Sequence, residues 1–455
     1  MGAGLGTSGI DWSTLAANSD SSSTAGFDVP MVVNEILESQ SQEETQWQNQ
    51  ETTLNSQATA LQQLSTQVQS LLNDANDLSD PLGSLAAMTT SVSDSSTLSA
   101  TAGSGAAAGS HSISITSLAT TSSFYSNELA SSSTTFATGA ITLSVGSNTA
   151  TINVDNTNDT LAGLAAAINN QNLGVTASVV TDAGGARLTL VSNSSGAAGN
   201  IDISSNTTGL TFNLGTKGAD ASLTVDGIPI DSSSNTVTSA IPGVTLNLLG
   251  VTSSPVTLEV SADTSQAATA INNFVSDYNT IISNLNTQFS YNTTTGTAGT
   301  LMGDSAAELV QSTLLSDVAA SVSGNGTISS LASLGISMNN DGTLTVDDSQ
   351  LNNVLASNFQ DVQNFFQTAS TGFAQQFSTD LNNLANPTTG AIALDINGIN
   401  SSVSSLQSEI SDFQANLSTE QQNLTTYYSQ INATLQSLPS MLATVEAQLS
   451  SLNSS

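Results

Sequence analysis

Hydrophobic positions along the chain follow two different periods, and the switch between them organises it. From Asp28 to Leu78, Leu54, Leu61, Leu64, Val68, Leu71, Ala75 and Leu78 recur at spacings of 7, 3, 4, 3, 4 and 3, a heptad stripe. Asp28 is placed to cap this helix, with Pro30 tolerated in its first turn, and Ser79-Asp80-Pro81 stops it. The other end repeats the pattern over a greater length. Ile399, Val403, Leu406, Ile410, Phe413 and Leu417 alternate steps of 4 and 3, and Leu424, Tyr428, Ile431, Leu435, Leu438, Leu442, Val445, Leu449 and Leu452 continue the seam. Pro439 lies inside it and should kink or divide the helix. So narrow a stripe on so long a helix needs a second helix to cover it. The two ends pair within one chain, or they also pair between subunits; the seam alone does not choose.

Between these ends the period falls to two. His111–Thr116, Ala140–Val145 and Thr149–Val154 alternate and favour β-branched residues. Gly174–Thr181 and Ala186–Val191 follow around an Ala183-Gly184-Gly185 turn, and Thr160–Asn169 reads as one short helix before them. A further β unit runs from Leu223 through Asp226-Gly227 and Pro242-Gly243 to Val260. Helical spacing returns over Ala267–Phe289, Asp304–Val322 and Asp348–Phe366, with a hairpin at Ile336–Val346. The expected fold class is multidomain α+β: long terminal heptad helices forming a coiled-coil leg, with small β-rich domains inserted between them. The expected division is a disordered leader at 1–27, an N-terminal leg helix at 28–80 and an inner β-rich head at 81–127 and 221–262. An outer β-rich head occupies 128–220, a helical domain with a hairpin 263–395, and the C-terminal leg helix 396–455.

Composition narrows the chemistry open to this architecture. Of 455 residues only 8% are charged, against roughly 25% in ordinary domains, and 2 Lys+Arg face 36 Asp+Glu for a net charge of −34. The chain is depleted in bases rather than enriched in acids. That argues against nucleic acid, whose phosphates need Lys and Arg, and against an anionic membrane surface. No stretch approaches the roughly 18 apolar residues of a membrane span, and Met1–Ile10 has neither the basic nor the apolar part of a signal peptide. With no cysteine and one histidine, thiol chemistry, disulfides and paired-histidine metal sites are excluded.

Each candidate for site chemistry has a plainer structural reading. His111 shares a strand face with Ile113 and Ile115, which suits the edge of a core better than a general base. Ser337–Asp348 spaces Asn339, Asp341, Gly342 and Asp348 somewhat like a Ca²⁺ loop. It begins with Ser, ends with Asp and has strand-like flanks, so an Asp-Gly hairpin turn accounts for it. Arg187 and Lys217, the only strong bases, fall in the β interior as candidates for local ion pairs. No catalytic constellation, metal site or cofactor site is expected.

An ordered series of short motifs resembles the bacterial flagellar filament-capping (FliD, hook-associated protein 2) family. It includes Leu98–Ala102, Gly105–Ile113 and Thr116–Ala119. Thr160–Asn169 with Gly174–Val180 and Gly185–Leu190 is similar to a small motif shared by flagellar axial proteins. Leu223–Ile228, Ser234-Asn235 and Ile241–Leu246 resemble the family's "vDG-i … N-v … i-pGvTl" stretch, and Phe274–Asn279 its "FV-x-x-YN" helix. Gly303-Asp304, Leu334–Ile336 and Asp341–Leu344 complete the order.

The resemblance implies a non-enzymatic assembly factor: a homo-oligomeric ring at the filament tip, with legs entering the filament and β domains forming a plate. Flagellin would be retained and folded beneath that plate, and the hook–filament junction protein would be a further partner. The protein would leave the cell through the flagellar export apparatus, without a cleaved signal peptide. An export chaperone would bind the last part of the C-terminal seam, Leu438, Leu442, Val445, Leu449 and Leu452. The ring and helix seam would involve Leu54, Leu61, Leu64, Val68, Leu71, Ile410, Phe413, Leu417, Leu424, Tyr428, Ile431 and Leu435. Another axial component, either flagellin or a junction protein, and a surface adhesin are the competing readings.

Two departures stand out: a Ser-rich insert at Asn18–Thr24, and terminal helices without a single base. Residues 1–80 carry eleven acids and 396–455 four. These helices cannot form Glu–Lys pairs, so their carboxylates are expected only to repel one another at neutral pH, and assembly is expected to favour acidic surroundings.

Overall fold

The computed structural model describes residues 26–453; most of the expected leader lies outside the described residues. The N-terminal heptad region forms two nearly continuous helices, α1 (Val29–Gln40) and α2 (Gln42–Ser79). The Asp28 carboxylate accepts the Met31 N–H at 3.2 Å, with Pro30 in the first turn. The single helix expected over Asp28–Leu78 is interrupted at Ser41, whose hydroxyl donates to the Glu38 carbonyl at 2.9 Å in competition with the helix ladder.

The chain then enters β structure with β1 (Met88–Val92), β2 (Leu98–Ala102), β3 (Gly109–Ser117) and β4 (Thr121–Ser126). There follow β5 (Gly139–Val145), β6 (Asn148–Val154), helix α3 (Leu161–Asn169), β7 (Val175–Thr181), β8 (Ala186–Ser195), β9 (Ile201–Asn206) and β10 (Phe212–Thr216). β11 (Ala221–Val225), β12 (Ile228–Ser232), β13 (Thr236–Ile241), β14 (Val244–Leu248) and β15 (Val256–Ala262) complete this part.

Two separate β cores result. One lies between the sheets ordered β10-β4-β8-β7 and β6-β5-β9, with α3 packed in. Alternate residues such as Ile141 and Leu143, Leu188 and Leu190 point inward, joined by Leu164 and Ile168 of the helix. The second core joins the sheets β1-β15-β3-β11-β12 and β13-β14-β2 through residues such as Leu98, Ile113, Leu223, Leu246 and Leu258. β4, which the expected division places with the inner head, pairs with β8 and β10 of the outer sheet.

The third core is helical. α4 (Thr264–Gln288), the short strands β16 (Tyr291–Asn292) and β17 (Thr297–Ala298), α5 (Ser305–Ala319), and the hairpin β18 (Ile336–Met338) with β19 (Leu344–Val346) follow in order. α6 (Asp348–Ser357), α7 (Phe359–Gln367), α8 (Phe373–Ala385) and α9 (Ala391–Asn453) end the described chain. The second half of α2 packs into this body, where Phe274 meets Phe377 at 5.0 Å and Phe365 stacks on Phe373 at 5.4 Å. The one helix expected over Asp348–Phe366 is two helices. Asn358, at φ −134°, turns the chain so that Val362, Phe365 and Phe366 reach the core. Of the two outcomes expected at Pro439, a kink or a division, the division does not occur: helix α9 runs through it. The proline removes one ladder bond, and hydroxyls around it, Ser437 to Thr434 O at 2.8 Å and Ser440 to Ser437 O at 2.7 Å, make local backbone bonds. At about 1.5 Å per residue, this 63-residue helix is about 95 Å long. No helix among the described residues is long and apolar enough to cross a membrane. The whole is multidomain α+β.

Candidate functional site

The two ends of the chain meet each other. The Phe27 N–H donates to Asn432 Oδ1 at 3.0 Å, and the Phe27 ring meets Tyr428 edge-on at 6.0 Å. Further along, Trp47 packs edge-on against Phe413 at 5.2 Å. As one position rises the other falls, so α1 and the first half of α2 lie antiparallel to α9. Of the two arrangements the seam left open, pairing within one chain is present.

The seam residues divide into three groups. Leu61, Leu64, Val68 and Leu71 are buried, but in the helical body beside α4 and α8. Leu54 is half-buried and shares an open groove with Trp47 and Leu406. On α9, Ile410 is buried, while Phe413, Leu417, Leu424, Tyr428, Ile431 and Leu435 are half-buried along the pairing face. Leu438, Leu442, Val445 and Leu449 are exposed by 44%, 60%, 51% and 56%, so the distal seam is uncovered among the described residues. Leu452 belongs to the helix, but its side chain lies outside the described residues. The sequence reading overlooked Phe27, just before α1, and Val29, Val32, Val33 and Trp47 on the opposing helices. Trp47 was findable, since it precedes Leu54 by the same seven residues that separate Leu54 from Leu61.

Charge on the paired helices is handled by amides. Gln407 Nε2 donates to Glu51 Oε1 at 2.7 Å, and Gln414 Nε2 donates to Glu44 Oε1 at 2.6 Å. The expectation that these carboxylates only repel is therefore corrected. A glutamine presents two N–H donors without needing a positive charge.

The helical body holds carboxylates closer together. Burial, followed by the charges of Asp277 and Asp77, pushes Asp74 up to about 6. Burial and Asp380 push Asp317 up to about 6, and burial with Asp304 raises Asp395. Elsewhere, carboxylates in turns and caps move the other way. Asp341 accepts Thr343 Oγ1 at 2.6 Å and Thr343 N–H at 3.0 Å, which holds it low and closes a hairpin turn with Gly342 at φ +84°. Among the described residues, no group of three His, Asp or Glu is arranged to hold a metal ion.

His111 has a partner 115 positions away. Its Nδ1 lies 2.8 Å from Asp226 Oδ2, while Asp226 Oδ1 accepts the Ser112 N–H at 2.8 Å. These bonds hold Asp226 below the usual carboxylate range. Asp226 (φ +54°) and Gly227 (φ +82°) form a tight turn between β11 and β12, so the pair clasps that turn to β3. Among the described residues, no further side chain is hydrogen-bonded to the pair. Arg187 pairs with Glu128, tying β8 to the loop after β4.

The recurrent motifs also converge. Tyr278 Oη donates to the Gly342 carbonyl at 3.0 Å. Asn279 Nδ2 donates to the Leu344 carbonyl at 2.8 Å, and its Oδ1 accepts the Leu344 N–H at 2.6 Å. The Tyr-Asn pair of α4 thus secures the Asp-Gly-Thr-Leu hairpin, even using one amide as a substitute strand along β19.

A long paired-helix leg, a helical body and two β cores define a structural, assembly-type protein. Residues 25–122 match the family described as flagellar hook-associated protein 2 N-terminus, 218–440 its C-terminus, and 140–194 the flagellin hook IN motif. The chain belongs to the flagellar hook-associated protein 2 family. It is 32% identical over 324 residues to the B-type flagellar hook-associated protein 2 of Pseudomonas aeruginosa, covering 64% of this chain and 68% of that one. The A-type protein of Pseudomonas aeruginosa is 29% identical, over 69% of this chain and 73% of its own length. The crystal structure of the D1-D2-D3 domains of the flagellar cap protein FliD from Escherichia coli superposes with a TM-score of 0.60 and 28% identity. That match covers 75% of this chain and 99% of that one.

Proposed function

We propose that this protein caps the growing tip of a flagellar filament as a ring of identical subunits, with the β units as the plate and the α1/α2–α9 pair as the leg. It retains exported flagellin beneath the plate, promotes its folding and insertion, and carries out no catalysis. The observation that carries the reading is the intramolecular leg, an antiparallel pair extending from a body that also carries two β cores, in a chain of this family. The outer head is best taken to begin at β4 rather than at residue 128, because β4 pairs with β8 and β10. The distal seam, Leu438, Leu442, Val445, Leu449 and Leu452, of which the first four are uncovered, is the binding segment for an export chaperone, and the hook–filament junction protein is the surface on which the first cap sits. Export proceeds through the flagellar apparatus to the filament tip.

The test combines a deletion strain with electron microscopy of purified protein. The expected result is loss of filaments with flagellin released to the medium, and closed rings bearing legs. Long filaments formed from the purified protein, or normal filaments in the deletion strain, overturn the proposal.

A further inference from the structure

We infer that three carboxyl–carboxylate contacts between helices make packing of the helical body proton-dependent, tight in acidic solution and loosened at neutral pH. The inference concerns a single subunit and stands apart from the capping role. The three contacts join different helix pairs. Asp74 of α2 lies beside Asp277 of α4, whose Oδ2 accepts the hydroxyl of Ser70, one turn before Asp74, at 2.5 Å. Asp317 of α5 faces Asp380 of α8 across a small polar cavity that Ser321 and Gln376 also line. Asp395 of α9 lies beside Asp304, whose Oδ1 accepts the Ala307 N–H at 2.9 Å as the cap of α5.

Two carboxylates brought together without a counter-charge repel unless one of them carries a proton. At the first contact burial and the neighbouring Asp277 raise Asp74. At the third, burial and the neighbouring Asp304 raise Asp395. Asp74 Oδ2 and Asp317 Oδ2 are buried atoms without any hydrogen-bond partner, which an ionised oxygen tolerates poorly.

Among the described residues no opposite charge compensates. Asp74 meets Asp277 from α4 and Asp77 from its own helix; α1 carries Glu35 and Glu38, α7 carries Asp361 and α8 carries Asp380. Asp317 faces Asp380 of α8 and Tyr278 of α4, with Glu308 on its own helix. The acids of α9 are Asp395, Glu409, Asp412, Glu420 and Glu446. Every Lys, Arg and His of the sequence, Lys217, Arg187 and His111, sits in the β units.

The sign follows from linkage. A carboxyl raised in the folded state leaves stability untouched while it is protonated in both states. It subtracts stability as pH climbs from the ordinary aspartate range through about 6. The test is calorimetry of the full chain at about pH 5 and about pH 7.5, in about 0.5 M salt to screen the general negative charge. The helical transition is expected to fall by about 5 °C or more at the higher pH.

The variant Asp74→Asn/Asp317→Asn/Asp395→Asn should remove most of that fall by raising the melting temperature at pH 7.5. Glu43→Gln/Glu420→Gln/Glu446→Gln, which removes equal charge from exposed sites, should leave the fall in place. Carboxyl ¹³C NMR of the unmodified chain supplies a second readout, with Asp74 and Asp317 titrating near 6. Equal melting at both pH values, a fall that the control variant abolishes as well as the triple asparagine variant does, or ordinary aspartate titration of both residues overturns the inference.

Discussion

Asn279 gives the most direct measure of what holds the hairpin to the helical body. Its side chain makes two bonds to one residue, donating to the Leu344 carbonyl at 2.8 Å and accepting the Leu344 N–H at 2.6 Å. Leu344 is 5% exposed, so water cannot fully replace either bond. Asn279→Ala deletes two hydrogen bonds at about 0.5–1.5 kcal/mol each, and the orphaned backbone groups add to that, for a loss of about 2–3 kcal/mol. The loss stays below the full desolvation cost because Tyr278 and Asn286 still hold Gly342 and Asp341 by their carbonyls at 3.0 and 2.9 Å.

Asn279→Asp sharpens the test. An ionised carboxylate keeps the bond from the Leu344 N–H but faces its carbonyl with a lone pair, whereas a protonated carboxyl can donate there as the amide does. The aspartate variant should therefore be destabilised like the alanine variant at about pH 7.5 and recover part of its stability at about pH 5. Urea unfolding followed by circular dichroism at the helical band reads the helical body. Asn273→Ala, on the solvent face of α4, serves as the reference for propensity alone. A loss at Asn279→Ala no larger than at Asn273→Ala, or an Asn279→Asp variant indifferent to pH, would refute the strand-substitute role.

Three further outcomes follow from the same geometry. Phe373, which contacts Phe274, Phe365, Phe366 and Phe377 and is 3% exposed, should cost about 3–5 kcal/mol on replacement by alanine, read by urea unfolding. Gly163→Ala would set a Cβ 2.8 Å from the Asn158 backbone, so the outer β unit should melt earlier by differential scanning fluorimetry although alanine is the better helix former. Asp226 sits below the usual carboxylate range, so its contribution is present at neutral pH and lost as pH falls through its depressed value. Asp226→Asn should flatten the acid limb of inner-unit stability, measured by amide exchange of β3 and β11.

The elements with strong periodicity were legible. The helix expected over Thr160–Asn169 forms as α3 (Leu161–Asn169), capped by Thr160, whose hydroxyl accepts the Gly163 N–H at 3.1 Å, in line with the capping preference of threonine. What escaped were places where tertiary contacts overrule local pattern. No glycine or proline marks Asn358, because the break there serves the burial of Phe365 and Phe366 rather than any intrinsic preference. Leu61 to Leu71 continue one heptad stripe with Leu54, yet they face α4 and α8, since periodicity defines a helix face but not its neighbour. The His111–Asp226 clasp was invisible because its halves are far apart in sequence and are joined only by the register of β3 against β11.

The base-poor composition has a structural counterpart in those contacts. A coiled-coil leg ordinarily takes its register from paired opposite charges flanking the seam. Here Gln407 with Glu51 and Gln414 with Glu44 set the antiparallel register with neutral donors, and Trp47 on Phe413 fixes the turn between them. Both carboxylates are exposed or half-buried, so each bond is a surface interaction of modest strength that needs no desolvated ion. Amide donors keep their hydrogen-bonding capacity from acidic to neutral pH, whereas the carboxyl contacts of the helical body do not. Leg and body therefore differ in kind: the leg's register should persist at a pH where Asp74, beside Asp277, has already lost its proton.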